Sequence, residues 1–305
     1  MIKKLKFIHI GHHKTGSSFI QKTVLPKIET LKLLDQGKKD RVTNIQLKQA
    51  LYDLCLKSQL HFDIKKVSSE LKKYDFNCLS SESFLGNGSI ESSSANLIRN
   101  IAERLLRLFG KTKIILVIRN QSTWLKSYYL DDIEFGYSCS FKKWIELKKS
   151  RSQLDWCKYS EIIKLYYELF GKKNVKVYLY EEIFNKTIFY SLFKSFGLTK
   201  KVLNEIDFNK KVNESFSPLT FYLQLLVNRI IGTRANYGDG YLYTKWTKKI
   251  RPFLDNVSNK IPFIDKKPNI GFKEYDKILH ELYAKNNNET SKLINKNLKK
   301  YGYPS

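Results

Sequence analysis

Long apolar runs are missing from this 305-residue chain. No stretch of about 18 apolar residues occurs, which argues against a membrane-spanning helix. The opening Met1-Ile2-Lys3-Lys4-Leu5-Lys6 lacks the apolar stretch of about 7–15 residues that marks a secretory signal. A cytoplasmic location is therefore expected. Cysteine is scarce: Cys55, Cys78, Cys139 and Cys157 lie far apart and form no Cys-x-x-Cys pair. That spacing suits reduced core thiols better than disulfides or zinc ligands. No Cys/His set at ligand spacing is present, so no metal is expected. Internal repeats and long Pro/Gly/Ser linkers are also absent, which leaves one large α/β unit over residues 1–305 as the expected organisation.

Acidic residues are outnumbered. The chain has 55 Lys and Arg against 29 Asp and Glu, a formal net charge of +26. Only nine of the basic residues are Arg, and they are spread along the chain rather than gathered in a tail. Neither zinc-finger spacing nor an RNA-recognition signature accompanies them. The charge reads as compositional drift with a general preference for anionic ligands, not as dedicated nucleic-acid binding. A glycan acceptor, anionic or neutral, and peripheral association with the inner face of a membrane both stay open.

What is present is more specific. Strand-like Leu5–Ile10 runs into Gly11-His12-His13-Lys14-Thr15-Gly16-Ser17-Ser18 and then into the helical Phe19-Ile20-Gln21. A strand, a tight polar turn and a helix start make an anion site, because free amides and the helix dipole face the ligand. Gly11 and Gly16 permit the turn, Lys14 adds a mobile charge, and Thr15, Ser17 and Ser18 add hydroxyl donors. In a nucleoside-triphosphate P-loop the lysine follows the second glycine. Here Lys14 precedes Gly16 by two residues.

A second segment follows the apolar run Lys113–Ile118, which reads as a buried parallel strand. It is Arg119-Asn120-Gln121-Ser122-Thr123-Trp124-Leu125-Lys126-Ser127. A P-loop NTPase is expected to place an acidic magnesium partner at such a strand end. This chain has Arg119, with Ser127 eight residues on. Together the two segments resemble the sulfotransferases that use 3′-phosphoadenosine 5′-phosphosulfate (PAPS), in particular the bacterial, carbohydrate-type members. The resemblance implies that the Gly11–Ser18 loop, with Lys14, holds the 5′-phosphosulfate and that Arg119 and Ser127 hold the 3′-phosphate. It implies release of the bisphosphate product PAP and a reaction that needs no metal. Gln121 stands where that family usually has proline, a departure that affects turn rigidity rather than charge. Val175–Glu182 with Phe196-Gly197-Leu198, the stretch Lys211–Ser215, Tyr283–Asn287 and the ending Tyr301-Gly302-Tyr303-Pro304 extend the resemblance over most of the chain.

A hydroxyl acceptor needs a general base. Glu82 follows the second expected strand and several branches of the family resemble this placement. His12 and His13, beside Lys14, are rivals that titrate near neutrality or donate to sulfate. His9 reads as core, and His61 and His280 as isolated. Glu181 and Glu182 read mainly as helix-start acids. Trp124, Trp144, Trp156 and Trp246 are either core or stacking residues.

Strands are expected at Lys4–Ile10, Asn77–Ser81, Lys113–Ile118 and Val175–Leu179. Helices are expected at Ser17–Leu25, Gln46–Leu60, Ser92–Phe109, Tyr159–Phe170, Pro218–Ile231 and within Tyr275–Lys300. This alternation predicts a P-loop-type parallel sheet flanked by helices, with a mostly helical part over 199–305 and ligands at the strands' carboxyl ends. Gly232–Tyr243 reads as a glycine- and tyrosine-rich loop, either a lid or an acceptor-contacting segment. Two other function classes compete: a P-loop kinase acting on a small molecule, and a basic nucleic-acid-binding protein.

Overall fold

A computed structural model describes residues 2–34, 45–86, 95–208, 217–230, 251–256 and 275–305. Lys211–Ser215, Gly232–Tyr243 and Trp246 lie outside the described residues. Five strands form one parallel sheet in the order β2-β3-β1-β4-β5: β1 Phe7–His9, β2 Leu33–Leu34, β3 Cys78–Ser80, β4 Ile114–Ile118 and β5 Val175–Leu179. The register pairs Ile8 with Leu79 on one side and with Ile114 on the other. β4 matches β5 residue for residue, from Ile114 with Val175 to Ile118 with Leu179.

The pleat sends alternate residues to opposite faces, and both faces are covered. Ile8, Ile114, Leu116 and Ile118 join a large core with the helices Ala95–Phe109, Gln121–Glu134 and Tyr159–Phe170. Phe7, Cys78, Ile115 and Val117 join a second core with Phe19, Phe189, Phe193 and Phe196. Such double burial explains why β4 is an uninterrupted apolar run. Cys55, Cys78 and Cys157 are buried free thiols, and Cys139 is a half-buried one.

Four expected strands are present, with β1 shorter than foreseen. The two-residue edge strand β2 and the helices Ile64–Lys72 and Phe141–Ser150 add to the expectation. Residues 17–27 are helical but uneven: an α turn over Ser17–Phe19, a wider π turn over Ile20–Val24 and a tight turn over Leu25–Lys27. The C-terminal stretch divides at Asn295, whose left-handed φ of 53° ends the helix Asp276–Ile294. Among the described residues no helix is long and apolar enough to cross a membrane.

The C-terminal residues are locked onto the start of the Gln121–Glu134 helix. Asn287 and Gln121 exchange amide hydrogen bonds at 2.8 and 3.1 Å, and Asn287 Nδ2 also donates to the Pro304 carbonyl at 2.7 Å. Gln121 Nε2 also donates to the Cys157 carbonyl at 3.1 Å. Gln121, where proline was the family expectation, is therefore a buried amide lock rather than a loosened turn. Glu181 accepts from the Asn120 amide at 2.9 Å and from the Tyr303 hydroxyl at 3.1 Å. Glu182 pairs with Lys296 and the Tyr301 hydroxyl. Both acids thus hold the C-terminus in place and go beyond the helix-start role.

Asn287→Leu keeps the volume and leaves the buried Gln121 amide underpaired. It should cost about 1–3 kcal/mol of unfolding free energy in a urea titration. Asn288→Ala, on the exposed neighbour, should stay within about 0.5 kcal/mol. Equal effects would remove the lock from the account.

Candidate active site

β1 sends its chain toward β2 and β3, whereas β4 sends its chain toward β5. Between two strands that diverge in this way a crevice opens at their carboxyl ends. The loop after β1 and Arg119 after β4 meet there. The Arg119 side chain donates through Nη1 to the Lys14 carbonyl at 2.8 Å and through Nε to Thr123 Oγ1 at 3.1 Å. Its guanidinium lies over the Tyr180 ring, 4.2 Å from the centroid. These contacts flatten Arg119 against the loop and leave Nη2 without a protein partner among the described residues.

The loop itself turns through left-handed backbone at Gly11 (φ 62°), Lys14 (φ 61°) and Gly16 (φ 82°). The two glycines tolerate this geometry, and each also sits in a crowded place. A Cβ on Gly11 would lie 3.2 Å from the Glu82 Cα, and one on Gly16 would lie 3.1 Å from Ile183 Cδ1. Lys14 has no such freedom, so its backbone carries strain of about 1–2 kcal/mol. Backbone strain of this kind gathers at functional sites. The Trp124 indole N–H holds the His13 carbonyl at 2.6 Å on the other side of the turn.

Lys14 Nζ is paired with Asp131 Oδ1 at 2.8 Å, both side chains about a quarter to a third exposed. Asp131 belongs to the helix Gln121–Glu134, whose N-terminus is capped by Asn120 through bonds to the amides of Ser122 and Thr123. Thr123, Ser127 and Asp131 are spaced four apart and share one helix face. One end of that face meets Arg119 and the other meets Lys14. Ser127 stands between them, half-buried, with no hydrogen bond among the described residues. The sequence reading missed Asp131. Its signal was present, since it lies one helical turn beyond Ser127.

Glu82 opens a short helix after β3, capped by Ser81, whose hydroxyl accepts from the Ser83 amide. Its Oε2 accepts from His13 Nδ1 at 3.0 Å. Burial pushes the Glu82 carboxyl up, but His13, Ser17 and the nearby His9 outweigh it and hold it below the usual carboxylate range. The Ser17 hydroxyl does so from nearby, short of hydrogen-bond geometry, and is itself buried with no partner among the described residues. His13 Nε2 is enclosed and unpartnered, with its ring against Trp156. Glu82 Oε1, on a side chain 29% exposed, makes no hydrogen bond among the described residues. Ser18 is half-buried, and its hydroxyl has no partner among the described residues.

Two expectations need correction. His12 is fully buried among Trp124, Trp156 and Tyr159, with Nε2 on the Trp156 carbonyl at 3.0 Å. Its side chain cannot donate to a ligand because it lies beneath the loop. The Thr15 hydroxyl is also buried and is spent inside the loop, donating to the His12 carbonyl at 2.5 Å. It braces the turn. Trp124, Trp144 and Trp156 are core residues, and His9 is buried in β1, hydrogen-bonded to Ser80 at 2.7 Å. His61 bonds the nearby Ser58, and His280 is exposed.

No family model matches the chain, and no curated protein matches it. Among solved structures it is similar to a sulfotransferase from Alicyclobacillus acidocaldarius, with a TM-score of 0.54 over 98% of each chain and 13% sequence identity. At that identity the likeness establishes a sulfotransferase-like α/β fold.

His9 and His12 carry a pH dependence. Burial lowers both to about 4; the Trp156 carbonyl opposes this at His12, as does the Glu82 charge at both. An unfolded histidine titrates near 6.5, so between these values the unfolded chain binds more protons. Their stabilisation is whole above about 6.5 and is lost as the pH falls toward 4, by up to about 1.4 kcal/mol per pH unit for each. Glu82, held low, loses its share in the same direction at still lower pH. Denaturation midpoints should fall from pH 7 to pH 5, and His12→Gln should flatten the slope. A flat wild-type profile over that range would contradict the buried-histidine description.

Proposed function

We propose that the chain transfers a sulfuryl group from PAPS to an acceptor hydroxyl or amine, most reasonably on a carbohydrate. The observation that carries this reading is the joining of Arg119 to the Lys14 carbonyl. It supports treating two distant basic motifs as one double anion site, with Ser127 on the helix face between the two cations. In this reading the loop amides, Lys14 and the Ser18 hydroxyl receive the phosphosulfate, while the buried Ser17 hydroxyl stays beside Glu82. Arg119 Nη2 and Ser127 receive the 3′-phosphate, a feature ATP lacks. An arginine at the end of β4, where a magnesium-holding acid would serve a kinase, favours the sulfuryl reading over the kinase one.

The acceptor oxygen attacks sulfur as the bond from sulfur to the bridging phosphate oxygen breaks. Charge grows on that leaving oxygen, and Lys14 stabilises it after exchanging Asp131 for the ligand. The acceptor proton passes to Glu82. Its Oε1 is the reachable atom of the Glu82–His13 pair, and His13 orients the carboxylate from the enclosed side. A low carboxylate pKa makes a weak base, which a loose transition state tolerates because proton transfer is late. The basic surface favours an anionic glycan over a neutral one as acceptor.

PAP should raise the melting temperature, by an amount equivalent to about 2.7 kcal/mol at a hundredfold excess over its dissociation constant. AMP should do far less, because it lacks the 3′-phosphate. Equal shifts from AMP and PAP would remove Arg119 and Ser127 from the cofactor site. Glu82→Gln should keep PAP binding while lowering transfer by roughly a hundredfold or more. His13→Asn should be milder. An active Glu82→Gln enzyme beside an inactive His13→Asn enzyme would reassign the base to His13.

A further inference from the structure

The helix Pro218–Ile230 sets a polar seam beside the buried Phe221 on its covered face and an apolar stripe on its outward face. Its covered face carries Thr220, Gln224 and Asn228, spaced four apart and all fully buried. Asn228 Nδ2 donates to the carbonyls of Ile133 and Tyr137, both at 2.8 Å, and Asn228 Oδ1 accepts from Gln224 Nε2 at 2.9 Å. Polar residues thus fasten the helix to the end of Gln121–Glu134. The outward face bears Leu219, Tyr222, Leu223, Leu226 and Ile230 at helical spacing. Tyr222 is 53% exposed, Leu226 52% and Ile230 75%. Phe221, 3% exposed, and the partly buried Leu225 already pack on the core beside that seam, so the outward stripe is apolar surface beyond what seats the helix.

The stripe has neighbours. Arg251 pairs with Glu134 at 2.6 Å, which brings the helical residues 251–256, with the 67% exposed Phe253, beside the exposed Phe135. Five of the eight exposed large apolar side chains among the described residues therefore belong to this one region. A patch of this kind marks an interaction surface. The chain's charge of +26 decides between occupants. Two copies would approach as like charges, whereas an anionic bilayer attracts each copy.

We infer that this face docks on an anionic lipid bilayer. Tyr222, Leu226, Ile230 and Phe253 enter the headgroup boundary, and the lysine-rich surface is held by lipid charge, two signals that together give stable peripheral attachment. This inference stands apart from the reading of the active site, and its test uses no substrate.

Flotation with lipid vesicles tests it. The protein should float with phosphatidylcholine vesicles containing about one-third phosphatidylglycerol and stay unbound with phosphatidylcholine alone. Leu226→Glu combined with Ile230→Glu should weaken binding at least about tenfold, at an unchanged melting temperature, because both side chains face solvent. Leu60→Glu, at a 94% exposed apolar residue elsewhere, should leave binding intact. Three outcomes would overturn the inference. One is no flotation of the wild type with anionic vesicles. Another is undiminished binding by the double variant, which would leave charge alone as the cause. The third is a wild-type dimer that the double variant converts to monomer, which would make the occupant a second copy.

Discussion

The hydrogen bond from Arg119 to the Lys14 carbonyl is the contact on which the site depends. The two residues are 105 positions apart and lie in the segments that follow the neighbouring strands β4 and β1. Parallel pairing brings their carboxyl ends to one edge, and the guanidinium then closes the gap. It fixes the backbone of a residue that already sits in strained left-handed geometry. With the Trp124 bond to the His13 carbonyl and the Thr15 brace, that clamp holds the conformation that turns Lys14 toward the crevice. The same arginine leaves one nitrogen uncommitted, so the structural clamp and the anion-binding role occupy different atoms of one side chain.

A second layer of fixation comes from the far end of the chain. Asn120 caps the Gln121–Glu134 helix, while its amide and side chain bind Glu181 and the Tyr301 carbonyl. Gln121 is tied to Asn287. Thr123, Ser127 and Asp131 therefore ride on a helix whose start is anchored in part by Tyr301 and Asn287, each more than 160 positions away. The sequence segment carrying the Arg-Asn pattern thus supplies a clamp, a cap and a buried amide lock in three consecutive residues. That helix also seats Pro218–Ile230, so the apolar outer face and the candidate site are built on opposite uses of one element.

Much of this was legible in the chain because the relevant physics is local. β4 is an uninterrupted apolar run, and a strand buried on both faces must be one. The loop after β1 showed its glycines, its lysine and its helix start within eight residues. Legibility failed where partners are distant or elements short. Two residues of β2 carry no periodic signal. Asp131 was hidden because its partner Lys14 is 117 positions away. His12 looked identical to His13 until the fold placed Trp124, Trp156 and Tyr159 around it. Pro218–Ile230 was legible as a helix, but which face it covers was not, because Asn228 is held by the distant carbonyls of Ile133 and Tyr137.

Calorimetric titration of PAP into the wild type and into Arg119→Ala tests the central claim most directly. The account requires that the wild type bind PAP and that Arg119→Ala bind it more weakly by about 1.5–3 kcal/mol, the scale of a hydrogen bond to a charged group. Absence of binding to the wild type, or equal affinity in the two proteins, would contradict it.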